Sequence, residues 1–194
     1  RQNRDGGWSG GQPATRRCRK RRHENKQLRP RKVASTSDTT GIVLEVLASC
    51  GRNGIQPVLQ RAVQFLRRMQ RADGSWDSTT GVRFIHGTSA AICGLIATGM
   101  EPEVETIAAG VNWLIVHQHA SGGWGETAPA HLEDMHFYVA AVNSTQSAWA
   151  LSALVASGRS LAPAALRAVR FILDSQAENG QWHEVCPVHR DHEL

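Results

Sequence analysis

The chain of 194 residues is 41% hydrophobic and 20% charged, a composition that suits one globular domain with a buried core. It contains no run of 18 apolar residues, so the sequence predicts no membrane-spanning helix. The net charge of +5 arises in one segment: residues 16–32 hold ten of the 22 Lys and Arg but one of the 17 Asp and Glu. The remainder has 12 basic and 16 acidic residues and carries a charge of −4.

Residues 9–37, which include this basic segment, have almost no large apolar residues and no regular period, so we predict a disordered linker there. Its core, RRCRKRRH, could bind nucleic acid or anionic lipid, or act as a localisation signal. No aromatic residues are interleaved with the arginines, however. A solvated linker is therefore the favoured interpretation, no nucleic-acid partner is expected, and the role of residues 16–32 stays open.

A seven-residue pattern occurs four times: Gln, then Asp, Ser or Asn three positions later, then Gly, any residue and Trp. We number these Gln–Trp motifs 1 to 4: Gln2–Trp8, Gln70–Trp76, Gln118–Trp124 and Gln176–Trp182. The glycine allows the chain to reverse, because it adopts positive φ without a Cβ penalty. We interpret the motif as a structural tie at the end of a helix, with the indole covering the glutamine amide. Four copies indicate a repeat protein.

Helical periodicity fills the intervals between the motifs. A first helix, with Asp38 to Thr40 as N-cap candidates, ends near Gly51, and an amphipathic second helix leads into motif 2. The same two-helix unit recurs before motifs 3 and 4, with Gly99 and Gly158 as its internal stops. The first helix of each unit is apolar nearly all round and the second is amphipathic. This predicts an all-α fold of three inner/outer helix pairs.

An array of three such pairs has two ends, each presenting the flank of an apolar inner helix. Repeat arrays without polar caps associate or need a partner. We therefore expect self-association or a partner that supplies the missing half.

The four motifs, together with GVRFIHGTSAAICGLIATG and STQSAWALSALVASG, closely resemble the C-terminal portion of squalene–hopene cyclase and other class II triterpene cyclases. The resemblance covers residues 38–184 and 1–8. It implies a partial (α/α) toroid, similar to an α/α6 barrel, around a cavity for squalene or a similar polyprene. It also implies an isomerase reaction, in which the aspartic acid of a DxDD motif protonates an alkene and aromatic side chains stabilise the carbocations. The widely spaced cysteines favour a cytoplasmic location, and the resemblance adds peripheral attachment to a membrane.

We accordingly divide the chain into the end of a truncated repeat (1–8), the basic linker (9–37), the cyclase-like repeat domain (38–184) and a tail (185–194).

Several positions depart from the family pattern. No DxDD occurs in the chain. Asp38 matches a family acid that supports the catalytic aspartates, but Ile42 stands where the family has a histidine. Thr80 replaces a cavity tryptophan, and His86 replaces a tyrosine. We therefore expect a fragment or decayed paralogue of a cyclase that is inactive alone. The alternatives are a non-enzymatic lipid-binding or scaffold module, or a protein prenyltransferase β-like toroid, which lacks support in the cysteine contexts.

No residue is assigned a catalytic role outright. For Asp38, a helix N-cap is favoured over a working acid. For His86, a structural role is favoured over proton handling in place of the family's tyrosine. For Trp149, core packing is favoured over lining of the substrate cavity.

We predict no metal and no cofactor. One histidine-rich stretch places potential ligands every three residues: His183, Cys186, His189 and His192. Its spacing matches no standard zinc finger and its sequence lacks helical pattern. The four cysteines are widely spaced without a CxxC pair, which favours reduced thiols: Cys18, Cys50, Cys93 and Cys186.

Overall fold

Three helix pairs and one short hairpin make up the fold. The computed structural model describes residues 1–10, 34–51, 54–78, 82–126 and 139–183. The helices are α1 (Ser37–Ser49), α2 (Gln56–Met69), α3 (Phe84–Ala97), α4 (Glu105–Val116), α5 (Ser144–Ala156) and α6 (Pro163–Asp174), and the strands are β1 (Trp124–Glu126) and β2 (Val139–Asn143). The predicted all-α fold of three helix pairs is confirmed. Most of the predicted linker, Thr80 and the tail beyond residue 183 lie outside the described residues.

The inner helices α1, α3 and α5 form a row, and each outer helix packs on its own inner partner. The row is close-packed because small residues meet where α1 crosses α3. A Cβ built on Gly41 would lie 2.3 Å from the carbonyl oxygen of Ala90, and one on Gly94 would lie 2.4 Å from that of Gly41. Only glycine allows the two backbones to approach this closely. The middle helix α3 is consequently buried on both flanks.

The outer helices α2 and α6 bury one stripe each and expose the rest, as their periodicity predicts. Both have proline in the first turn, where a missing N–H costs no helical hydrogen bond. Helix α4 departs from the predicted amphipathic pattern. Apolar residues surround it almost completely, and Val116 is left 64% exposed at its end.

The first turn of α1 differs from the prediction at Asp38. The helix begins at Ser37 with Thr36 at the N-cap, and no side chain caps it. Asp38 lies inside the first turn, fully buried, and its Oδ2 accepts a hydrogen bond of 2.8 Å from the hydroxyl of Ser78. The N-cap interpretation of Asp38 is therefore wrong. Asp38 instead accepts a hydrogen bond from Ser78, forty residues away in the chain. A local sequence pattern does not reveal such a partner.

Motif 2 illustrates how a glutamine joins two repeats. The side-chain amide of Gln70 donates to the carbonyl of Gly74 within the motif, at 2.9 Å, and to the carbonyl of Thr106 in the first turn of α4, at 2.8 Å. Gly74 has a φ of 91°, in the left-handed region that favours glycine. The amide thus closes the turn and links it to the next outer helix through a second hydrogen bond to a helical carbonyl.

The tryptophan of the same motif joins three elements. The indole Nε1 of Trp76 donates to the carbonyl of Leu66 in the preceding helix, at 2.7 Å, and the indole is fully buried. Its backbone N–H donates to the hydroxyl of Thr88 in the following inner helix, at 2.9 Å. Motifs 2 and 3 therefore each tie the helix before them to the pair after them.

The β1–β2 hairpin was not foreseen from the sequence. The strands are antiparallel, with Trp124 opposite Asn143. The hairpin delivers Asn143 to the N-cap of α5, where its Oδ1 accepts from the backbone N–H of Gln146 at 2.8 Å. None of the helices in the described ranges has the length and hydropathy needed to span a bilayer.

Candidate functional site

A cleft of about 230 Å³ opens on the face of the inner row where α1, α3 and α5 converge. Each of the three inner helices contributes to it, because residues three and four apart share one helix face. Its lining consists of Ile42, Glu45, His86, Ser89, Ala90, Cys93, Trp149 and Ser152.

The polar end of the cleft holds an imidazole beside a buried carboxylate. The Nδ1 of His86 lies 3.8 Å from Oδ2 of Asp38 and 3.4 Å from the hydroxyl of Ser78. Ser78 donates to the same carboxylate oxygen at 2.8 Å, so the hydroxyl lies between the two groups. Two sequence-predicted candidates from different helices are thus brought together. A protonated His86 would be held here by the charge of Asp38.

Trp149 forms the wall next to the imidazole. The rings of His86 and Trp149 lie against each other in a tilted arrangement, with centroids 4.4 Å apart and an angle of 33° between their planes. Trp149 is partly exposed and lines the cleft. The favoured interpretation of Trp149 as a core-packing residue therefore disagrees with the structure. An imidazolium against an indole face gains cation–π stabilisation.

The remaining wall is mostly neutral. The hydroxyl of Ser89 is buried and has no hydrogen-bond partner among the described residues. Burial, with a smaller contribution from the negative charge of Glu45, raises the pKa of Cys93 to about 12. The thiol therefore stays protonated at neutral pH and is a poor nucleophile or metal ligand. Apart from Glu45 and the Asp38–His86 end, the cleft suits an apolar ligand.

Glu126 positions the helix that carries His86. Its Oε1 accepts the backbone N–H groups of Phe84 and Ile85 at 2.7 and 2.9 Å. These are unpaired donors at the start of α3, where the helix dipole also favours a negative charge. The backbone of Glu126 is held in turn by the side-chain amide of Gln146, which bonds to both its N–H and its carbonyl. Glu126 therefore links β1 to α3 through its carboxylate and to α5 through its backbone.

Glu126 should make stability depend on pH. Burial raises its pKa to about 7 from an ordinary value of 4.5, against the opposing effect of the Ile85 and Phe84 N–H groups. As pH rises from 4.5 to 7, the unfolded chain releases this proton and the folded chain retains it, so stability falls across that window. Glu126→Gln keeps an acceptor oxygen but cannot titrate. In urea unfolding, the stability of Glu126→Gln relative to the wild type should increase as the pH rises from 4.5 to 7. A difference that does not vary with pH would contradict this assignment.

Within the described part of the chain, no group of three or more His, Cys, Asp and Glu side chains is arranged to hold a metal ion. Of the histidine-rich stretch considered above, only His183 is described, so the tail itself is not tested.

The comparison with known families agrees with the geometry. The model for the squalene–hopene cyclase C-terminal domain matches residues 1–188. The chain belongs to this family. Among curated relatives, a probable squalene–hopene cyclase of Sinorhizobium fredii strain NGR234 is 36% identical over 151 residues. The squalene–hopene cyclase of Alicyclobacillus acidocaldarius is 36% identical over 149 residues, and human lanosterol synthase is 33% identical over 132 residues.

These matches cover 77% of the chain for the two bacterial cyclases and 66% for lanosterol synthase. They cover only 23%, 24% and 18% of the relatives themselves, so the chain spans about a quarter of their length or less. A solved structure of a protein from Actinoplanes superimposes with a TM-score of 0.56 at 20% identity, over 77% of this chain and 40% of that one. That likeness concerns the fold alone.

Sequence reasoning missed two residues of this cyclase-family site. Ser78 and Glu126 each stand two positions after a motif tryptophan, and both are buried. The usable signal in the sequence was a polar residue at the same place in two repeats; the structure adds that both are buried. Its meaning differs between them, because Ser78 bonds to Asp38 of α1 whereas Glu126 bonds to the start of α3.

Proposed function

We propose that this chain forms part of the cavity wall of a triterpene cyclase that binds squalene or a similar polyprene. The observation that carries the proposal is the cleft itself, in which Ile42, Ala90 and Trp149 offer apolar contact beside the Asp38–His86 pair. A hydrocarbon substrate partitions into the bilayer, so we expect the assembled enzyme to act at a membrane surface.

Cyclisation of a polyprene begins with protonation of an alkene, which needs a strong acid placed within reach of the double bond. Asp38 is fully buried, and its carboxylate is engaged with Ser78 beside His86. In this arrangement Asp38 is suited to hold an acid supplied by other residues in the correct orientation and protonation state. It is not suited to reach the alkene itself. Residues 1–194 contain no DxDD motif, so we propose that the proton donor comes from outside them.

The purified 194-residue chain, incubated with squalene in detergent, should yield no cyclised triterpene by gas chromatography and mass spectrometry. The reason is the absence of a placed donor. A cyclised product that disappears with Asp38→Asn or His86→Phe would contradict this expectation, because it would mean that these residues protonate the substrate themselves.

A complementation experiment supplies the rest of a cyclase from a relative. The squalene–hopene cyclase of Alicyclobacillus acidocaldarius, with the segment matching this chain removed, can be co-expressed with this chain. Restored cyclisation that falls with Asp38→Asn supports the proposal. Asp174→Asn makes the same chemical change at an exposed position of α6 outside the cleft lining; it is the matched control and should leave the restored activity unchanged.

One observation favours a second candidate, a non-enzymatic lipid-binding module. The imidazole of His86 packs against the ring of Trp149 in the lining of the cleft, and a cation held there would repel a carbocation and compete for the π surface that stabilises it. Saturable binding of squalene, with no cyclisation on complementation, would favour this module over the cyclase.

A further inference from the structure

Arg83 stands at a position where the rules of helix capping disfavour it. It is the N-cap residue of α3, and its side chain makes no capping hydrogen bond. Ser, Thr, Asp and Asn are preferred at an N-cap, and the helix dipole disfavours a positive charge at this end. Glu126 accepts the N–H groups of Phe84 and Ile85 instead. Capping is therefore the task of Glu126, and the guanidinium of Arg83 serves a different contact.

That contact is a salt bridge with Asp77, the first residue after motif 2. The Nε and Nη2 of Arg83 donate to the two carboxylate oxygens of Asp77, the second at 2.5 Å. Two parallel bonds fix the relative orientation of the two side chains, which the single ammonium of a lysine does not do. The guanidinium also lies 5.4 Å from the centre of the Phe84 ring. The salt bridge is only 25% and 34% exposed on its two sides, so it is shielded from much of the solvent.

The salt bridge closes the connection between motif 2 and α3 together with a backbone bond. The N–H of Ser78 donates to the carbonyl of Arg83 at 2.7 Å. The start of the connection is also fixed on α3, because a Cβ built on Gly87 would lie 2.5 Å from the carbonyl oxygen of Trp76. Ser78 is thus held between two points on the same helix, and Asp77 and Arg83 provide one of them.

The side chain held in this way is the hydroxyl at the polar end of the cleft. Ser78 is buried, donates to Oδ2 of Asp38 at 2.8 Å and lies 3.4 Å from Nδ1 of His86. Because its proton is directed to Asp38, its oxygen can accept from an N–H at Nδ1 of His86. Ser78 belongs to neither α1 nor α3, so the position of its hydroxyl depends on how the connection is held.

The charges near the first turn of α3 give Arg83 a second reason to be there. Three carboxylates lie in this region: Asp38, Asp77 and Glu126. Besides burial, which raises the pKa of Glu126 most, the charge of Asp77 raises it and the charge of Arg83 lowers it. Both members of the salt bridge are therefore within electrostatic reach of Glu126. Without Arg83, repulsion between like charges would drive Asp77 towards solvent, and Ser78 is the next residue in the chain.

We propose that Arg83 is a positioning residue for the polar end of the cleft. Through its salt bridge with Asp77 it holds the hydroxyl of Ser78 in place, and that hydroxyl sets the geometry between Asp38 and His86. The purpose of this geometry rests on the proposed function, in which Asp38 orients an acid. The contacts themselves do not, so the test uses no polyprene.

The test is an NMR titration of the imidazole ring protons of His86, whose signals are assigned by their loss in His86→Phe. Arg83→Gln removes the salt bridge and one positive charge. The loss of that charge alone would move the His86 titration to higher pH. Release of Ser78 acts the other way, because the imidazolium loses an acceptor and the Asp38 carboxylate loses a donor that stabilises its charge. We expect a net movement to lower pH by about half a unit.

Arg71→Gln is the matched control. The Arg71 guanidinium lies 5.1 Å from the centre of the same Phe84 ring, but it pairs with Asp73. Its replacement removes the same charge and leaves Ser78 held, so the His86 titration should stay in place or move to higher pH. In a Ser78→Ala background, Arg83→Gln should likewise lose its movement to lower pH, because the hydroxyl that Arg83 positions is gone.

The proposal is overturned if Arg83→Gln leaves the His86 titration in place or moves it to higher pH. It is also overturned if Arg71→Gln gives the same movement to lower pH, or if that movement survives in the Ser78→Ala background. A lower melting temperature without a change in the titration would identify the salt bridge as a structural brace and nothing more. The proposed function fails separately, through an absence of cyclisation on complementation, and that outcome leaves the titration result as it stands.

Discussion

Trp124→Ala should lower the free energy of unfolding by about 3–5 kcal/mol, the range for truncating a large buried aromatic residue. The indole of Trp124 is fully buried, and its Nε1 donates to the carbonyl of Leu114 at 2.8 Å. The substitution leaves a cavity between two helix pairs and an unpaired carbonyl inside it. Since a domain of this size has a total stability of about 5–15 kcal/mol, the variant should melt at a much lower temperature. Chemical denaturation followed by circular dichroism measures the loss.

The chain contains its own controls. Trp182 makes the equivalent bond, from Nε1 to the carbonyl of Ile172 at 2.8 Å, but is 43% exposed. Trp182→Ala should therefore cost about 1 kcal/mol, close to the value of one hydrogen bond. Trp8→Ala should also cost far less than Trp124→Ala, because no described helix precedes Trp8. Equal losses at Trp8 and Trp124 would contradict the account of the motif as a tie between neighbouring repeats.

Gly41→Ala should be the second large effect, with a loss of about 1–3 kcal/mol or more. In an isolated helix the change would add about 1 kcal/mol of stability, because alanine favours the helix. Here the new Cβ would lie 2.3 Å from the carbonyl oxygen of Ala90 and 2.9 Å from the nitrogen of Ala91. Backbone atoms in the middle of α3 cannot move aside as a side-chain tip could. The steric collision therefore outweighs the gain in helix propensity, and Gly41→Ala lowers the stability of the protein.

Denaturant unfolding of Gly41→Ala beside Ser49→Ala separates the two contributions. Ser49 lies on the exposed side of the same helix, so its replacement should change stability by no more than about 0.5 kcal/mol. Gly41 is also one turn beyond Asp38, so the variant should disturb the Asp38–His86 pair as well. A Gly41→Ala protein as stable as the wild type would mean that α1 and α3 do not cross as described.

The features that the sequence predicts well are those recorded within short stretches. The helix pairs follow from apolar periodicity and stop glycines, and Gly99 and Gly158 both adopt positive φ where their helices end. The Gln–Trp motifs are recognisable because seven consecutive residues carry the whole turn. Local chemistry therefore determined the number, order and approximate limits of the helices.

The features that were mispredicted or missed depend on partners distant in the chain. Asp38 looks like an N-cap because its neighbours are polar, yet its partner is Ser78. Glu126 acts on α3 from more than forty residues away. Trp149 fits a buried helix face by its pattern, but the opposing inner helix carries His86, and the two rings form the cleft wall. In each case the three-dimensional neighbour, which no local pattern contains, decides the role.

The bond between each motif tryptophan and the next inner helix has a consequence for chain insertions. In motif 1, the N–H of Trp8 reaches Thr40, and Thr36 donates back to the Trp8 carbonyl at 2.9 Å. The two ends of the connection, Trp8 and Thr36, are therefore held next to each other. The connection from a motif tryptophan to the next inner helix accordingly varies in length: it is short after motif 2, residues 77–83, and long after motif 1, residues 9–36. Doubling such a loop costs only about 0.6 kcal/mol of closure entropy. Because Trp8 and Thr36 stay paired across the longest of these connections, this junction is where the fold tolerates additional sequence.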